Sequence, residues 1–139
     1  MVAMAVAASH GQAGANGANG VEVGRALFMG TTPLVGRIAM HRGHLPSEVM
    51  RCANCHESEA SPPVALTVAP KLNRSWLLDA KARRGGPASS YDLTAFCTLL
   101  RTGEDPAHLI VNVQMPRYEL SARDCESLWH FLLEPQTHD

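Results

Sequence analysis

The stretch RCANCHES, residues 51–58, sets two thiols and an imidazole within five residues. Cys52, Cys55 and His56 have the spacing C-x-x-C-H. Two thiols three positions apart can add to the two vinyl groups of one haem, and the next residue can then offer its ring nitrogen to the iron. One short segment would thus supply two covalent anchors and a proximal ligand. A bare C-x-x-C is also half of a zinc site, whose other half needs two further ligands. Cys97 and Cys125 are the remaining cysteines, but they do not form a second C-x-x-C and fall on separate expected helices. A redox dithiol would be at home beside a βαβ pattern, and none is visible.

A haem iron held by His56 leaves a sixth position to fill. Met115, in VNVQMPRYELS, is the candidate. A thioether is soft, and together with His it favours reduced iron. Pro116 biases the residue before it toward extended backbone and fixes its own φ, which suits a loop that must hold one sulfur in place. A single Met is more often core filler. The other apolar residues fit helical faces, whereas Met115 lies on a proline-flanked loop.

Three clear helices and one short one would position these groups. Asn19 with Glu22 resembles a capping box opening VEVGRALFMG, with Gly30 as its stop. Val23, Leu27 and Phe28 form its apolar face, and Gly24, one turn before Phe28, marks a close approach by another backbone. Ser75 opens a short helix through Ala82, and RRGGP, 83–87, breaks the chain. Ser90 caps YDLTAFCTLLRTG, in which Leu93, Phe96, Leu99 and Leu100 recur at helical spacing before Gly103. Ser121 with Asp124 opens ARDCESLWHFLLE, ended by Pro135, with Leu128, Phe131 and Leu132 on one face. Residues 31–50, 57–74 and 104–120 read as loops. The pattern is all-α, without repeats or strands.

The 139 residues fit one domain, and the formal net charge of -1 gives no basic face for nucleic acid. Aromatic content of 5% makes for a thin core, which a bound cofactor could complete. The apolar run Val2 to Ala8, followed by Ala13 and Ala15 in an A-x-A arrangement, resembles the end of a secretory signal, although no basic n-region precedes it. A plain Gly/Ala/Asn-rich tail is the alternative. No stretch approaches the roughly 18 apolar residues of a membrane span. Residues 1–19 therefore read as leader or tail, 20–135 as the domain and 136–139 as a C-terminal tail.

In this order the motifs resemble a class I monohaem cytochrome c of bacterial type, over residues 20–133. VEVGRALF is similar to that family's first helix, CANCH to its haem attachment site, APKL to the P-x-L stretch that follows, MPRYELSARD to the distal Met loop, and LWHFL to the closing helix. The resemblance implies an all-α cytochrome c fold, with about three main helices, short helices and long loops around one covalent haem c. It implies Cys52 and Cys55 as anchors and His56 and Met115 as axial ligands. The Pro70 carbonyl would face the His56 ring N–H, and Phe131 would pack near Gly24 and Phe28 where the first and last helices cross. Trp76 and Tyr118 would wall the pocket, Tyr118 and Arg117 would reach a haem propionate, and Trp129 would lie on the flank of the last helix.

The chain departs from the family in residues 29–51, which separate the first helix from C-x-x-C-H. This insertion carries Arg37, Met40, His41, Arg42, His44 and Met50, and would cover a haem edge, dock a partner or lie as a passive surface loop. His41, His44 and His108 are minor rivals of Met115. Cys97 and Cys125 form either a disulfide or two small buried hydrophobes.

With both axial positions filled, the expected function is one-electron transfer rather than catalysis. The expected protein is an exported or periplasmic monomer, exchanging electrons with a periplasmic dehydrogenase, an oxidase or another cytochrome. The alternative is a haem enzyme or gas sensor in which Met115 is labile and His108 or Arg117 supplies acid–base chemistry.

Overall fold

A side chain at Gly24 would collide with the last helix: its Cβ would lie 2.0 Å from the Ser127 carbonyl oxygen and 2.7 Å from the Phe131 Cβ. The absence of that side chain lets helices α1 (Gln12–Met29) and α5 (Ala122–Leu133) cross at backbone contact. One turn on, the rings of Phe28 and Phe131 meet with centroids 5.5 Å apart. The crossing expected from Gly24, Phe28 and Phe131 is thus present. The computed structural model describes residues 12–57 and 69–135, with side chains from residue 17.

Three further helices complete the set among the described residues: α2 (Ala53–His56), α3 (Arg74–Leu78) and α4 (Leu93–Thr102). The fold is helix-rich, as expected, with a little sheet. Helix α5 opens where expected, its Ser121 Oγ accepting from the Asp124 N–H at 3.0 Å. Helix α4 closes on Gly103 at φ 80, a left-handed position that glycine adopts without strain.

Other boundaries differ from expectation. Helix α1 starts at Gln12 rather than after Asn19, so Ala13, Ala15 and Asn19 are helical. No proline interrupts this stretch, and its exposed residues Gly17 to Asn19 extend a helix whose packed part begins later. Helix α3 is capped by Asn73, whose Oδ1 accepts from Trp76 N at 2.8 Å, and not by Ser75. It ends at Leu78 rather than Ala82. Helix α4 is capped by Asp92 rather than Ser90. Asp92 is in extended backbone and its Oδ1 accepts from the Ala95 N–H at 2.7 Å, while the buried Tyr91 before it donates its backbone N–H to the Leu77 carbonyl at 2.8 Å.

Strands are present where none was expected. Strands β1 (Gly36–Arg37) and β4 (Arg117–Tyr118) form an antiparallel pair, with Gly36 opposite Tyr118 and Arg37 opposite Arg117. Strands β2 (Lys81–Ala82) and β3 (Ala88–Ser89) form a second, so RRGGP is a hairpin turn. Its Arg84 and Gly85 both have positive φ, at 48 and 75. A 3-10 turn at Ser47–Val49 adds structure to the insertion.

The core joins α1, α4 and α5, through residues such as Leu27, Phe96, Leu100, Leu128 and Leu132. Trp129 belongs to it and not to the helix flank: it is buried, with its ring centroid 5.4 Å from that of Phe96. Cys97 and Cys125 form a disulfide tying α4 to α5, with Cα atoms 5.9 Å apart. No helix among the described residues is long and apolar enough to cross a membrane. The run Val2–Ala8, the Pro62–Pro63 part of the second loop and the tail 136–139 lie outside the described residues.

Candidate functional site

Helix α2 is a single turn that begins just after Cys52 and ends at His56. The carbonyl of Cys52 accepts the His56 backbone N–H at 2.9 Å, which brings both ends of the motif onto one local turn. Cys52 and Cys55 are free thiols, the first half-buried and the second exposed. Burial pushes the Cys52 thiol up to about 11, against a smaller opposing effect of the Tyr118 hydroxyl 4.0 Å away. A thiol in that state is neutral at physiological pH, the opposite of the low-pKa thiolate that a redox dithiol requires.

His56 is oriented from a distance of 14 residues. Its Nδ1 lies 2.7 Å from the Pro70 carbonyl oxygen, which can only accept, so Nδ1 carries the proton and donates. The Nε2 lone pair is then free to bind a metal, and the carbonyl bond fixes the ring and raises its basicity. Burial lowers the His56 pKa, with the Pro70 bond opposing, so the imidazole is held neutral. This is the contact expected of Pro70.

These groups open on a cavity of about 910 Å³, in the upper part of the ~300–1,000 Å³ range of small-molecule and cofactor sites. Helices α1, α4 and α5 supply its apolar walls through Phe28, Leu99, Leu100, Leu128 and Leu132. Leu72, Trp76 and Leu77 close another side, and Ile38, Leu45 and Val49 of the insertion also reach it. Met115 and Pro116 line the same cavity as Cys52, Cys55, His56 and Pro70. His41, His44 and His108 do not line it. His44 pairs instead with Glu119 at 2.8 Å and His108 with Glu104 at 2.5 Å, both at the surface.

The loop carrying Met115 is held from behind. Arg117 is buried and donates to three backbone carbonyls: Met115 at 2.5 Å, Thr102 at 3.1 Å and Val111 at 3.4 Å. It does not line the cavity, so the expected reach to a ligand acid is corrected: the guanidinium organises the loop. Tyr118 does line the cavity, but its hydroxyl donates to the Met50 carbonyl at 2.9 Å. With its one proton taken, it contributes ring surface rather than a bond to a carboxylate.

Arg83 is the residue that sequence reasoning missed. It lines the cavity at 3 % exposure, between the rings of Trp76 and Tyr91, with centroids 5.2 and 5.0 Å from its guanidinium carbon. Its terminal nitrogens donate to the carbonyls of Trp76 and Ser89, while Nε has no partner. No ion pair among the described residues involves it, since the neighbouring Asp105 pairs with Arg84. In sequence, an Arg-Arg pair before Gly-Gly-Pro is indistinguishable from a solvated turn.

The disulfide removes Cys97 and Cys125 as zinc ligands, and no three His, Cys, Asp or Glu residues gather into a metal-binding cluster among the described residues. Two free cysteines, a histidine whose Nε2 is unprotonated and a methionine around one apolar space suit a prosthetic group that brings its own metal. No protein family matches the chain, nor does any curated protein or solved structure.

Proposed function

We propose that this chain is a one-electron carrier of the cytochrome c class, with the cytochrome c fold around a single haem c. The observation that carries the reading is the His56–Pro70 bond in a cavity shared with both free thiols and Met115. The residues fit the group. Cys52 and Cys55 would hold it covalently, and His56 Nε2 and the Met115 sulfur would ligate its iron. The buried Arg83, with an orphaned Nε, fits a ligand that brings carboxylates into an apolar space, because an unpaired buried cation is costly.

When bound, haem supplies a one-electron couple. This chain's own residues orient the proximal nitrogen, exclude water with Leu and Phe walls, and hold the thioether on its loop. With His56 and Met115 both holding the iron, no site would be left for a substrate, and the chemistry supplied would be electron exchange with a redox partner such as a periplasmic dehydrogenase, an oxidase or another cytochrome. The disulfide supports an exported, oxidising setting, because such bonds persist there and are rare in reducing compartments.

The test is optical spectroscopy of the exported protein, with acid-organic extraction. Haem retained through extraction, with a ferric iron–sulfur charge-transfer band that disappears in Met115→Ala, is expected. The variant should also have a lower potential and bind CO in the reduced state. Loss of haem on extraction overturns the reading. Retained haem without the band in the unaltered protein moves it to a sensor or enzyme with an open position.

A further inference from the structure

Residues 31–50 separate the first helix from C-x-x-C-H and were expected to cover a ligand edge, dock a partner or lie as a passive surface loop. The structure takes them to the loop that carries Met115. Strand β1 pairs with β4, which begins two residues after Met115. The ladder is extended by the Glu119 N–H, which donates to the Val35 carbonyl at 2.8 Å. The far end of the segment is tied in as well, since the Tyr118 hydroxyl donates to the Met50 carbonyl. Gly36 sits where these strands press together: a Cβ there would lie 2.5 Å from the Arg117 carbonyl oxygen and 2.5 Å from the Met50 Cε. Arg117 in turn holds the Met115 carbonyl. A continuous series of ladder and side-chain-to-backbone bonds therefore runs from the insertion to Met115, which lines the cavity.

We propose that residues 31–50 are a clasp that sets how readily the Met115 sulfur leaves its place in the cavity, with Gly36 and Tyr118 as positioning residues. The inference rests on the haem reading above, and it adds a function for the segment in which this chain departs from the family it resembles. A ribbon of two residues per strand opens easily by itself, because few bonds must break. The Gly36 contact and the Tyr118 tie are what keep it closed. A loop so held resists the opening that an external ligand needs before it can replace the sulfur. The rate of that replacement therefore reads the clasp directly.

The experiment compares haem-loaded wild type with Gly36→Ala, Tyr118→Phe and Ser121→Ala. Ser121→Ala removes the cap of α5 and lowers stability away from the clasp. Three quantities are read: haem retained on extraction, the ferric iron–sulfur band, and the rate at which added imidazole binds the ferric protein. All four proteins should retain haem. Gly36→Ala should bind imidazole about tenfold faster, because something must shift to admit its Cβ, and its band should weaken. Tyr118→Phe should fall between, and Ser121→Ala should match wild type. Wild-type rates and full bands in both clasp variants would overturn the proposal, as would equal acceleration by Ser121→Ala. If Gly36→Ala does not fold, the contrast between Tyr118→Phe and Ser121→Ala decides. A wild type without covalent haem sinks the haem reading and the clasp with it. A wild type with haem and band, but with insensitive variants, sinks the clasp alone.

Discussion

The α1–α5 crossing and the β1–β4 ribbon both join segments about 100 and 80 residues apart, yet they are built differently. The crossing is wide: it buries Leu27, Phe28, Leu128, Phe131 and Leu132, and a single glycine sets the approach. The ribbon is narrow: two residues per strand, reinforced by side chains that bond to backbone carbonyls. The first is stabilised mainly by apolar burial, at roughly 25 cal/mol per Å². The second is stabilised by hydrogen bonds worth about 1 kcal/mol net each. Stability should therefore be concentrated at the crossing, and adjustable motion at the ribbon.

The largest expected effect is at the crossing. Gly24→Val should destabilise by about 3 kcal/mol or more, because its Cβ meets a backbone carbonyl that cannot swing aside. Thermal unfolding would show this, and a Tm near that of wild type would mean that the helices slide apart freely. Opening the α4–α5 bridge with Cys97→Ala and Cys125→Ala should cost about 2–4 kcal/mol, since the bond closes a loop with a sequence separation of 28. Chemical denaturation of both forms measures it, and equal midpoints would show that the bridge adds nothing to the fold.

At the ribbon, Arg117→Met should cost about 2 kcal/mol by leaving the buried Val111 carbonyl and the part-buried Thr102 and Met115 carbonyls without their donor. Hydrogen exchange should locate the loss in residues 103–119 and leave α1 and α5 protected. An even loss across the chain would erase the distinction between the two regions. The smallest effect is at the surface. The His44 bond holds the Glu119 carboxyl below its ordinary 4.5, so its contribution is present above that pH and fades as pH falls through the depressed value. In His44→Ala, a carboxyl titration followed by NMR should place Glu119 back near the ordinary range with no measurable change in Tm. A carboxyl that stays low would assign the effect elsewhere.

The same contrast explains what the sequence made legible. Gly24, Gly103 and the Ser121 cap follow rules that operate within one turn of helix, so residue type and spacing expose them. Ser90 and Ser75 misled because Asp92 and Asn73 lie two residues away and satisfy the same rule. What decides between them is the Asp92–Ala95 bond in one case and the Asn73–Trp76 bond in the other. Strands of two residues carry no alternation to detect, so β1 and β4 could not be read in advance. The site divides in the same way. Cys52, Cys55 and His56 are fixed by spacing, Met115 stood out by its proline-flanked loop, and Pro70 came through resemblance. Arg83 was invisible, because its burial depends on rings supplied by Trp76 and Tyr91.

The disulfide between α4 and α5 carries one more consequence, for the order in which this chain can mature. Four sulfurs must end in two different oxidation states: one pair joined, the other pair held as thiols. The fold sorts them by reach. Cys125 is 1 % exposed, whereas Cys55 stands open to solvent. A reductant arriving after the helices have docked meets Cys55 directly, whereas the bridge offers it only the half-buried Cys97 side. Packing thus acts as a partial protecting group, through the buried Cys125 end of the bridge.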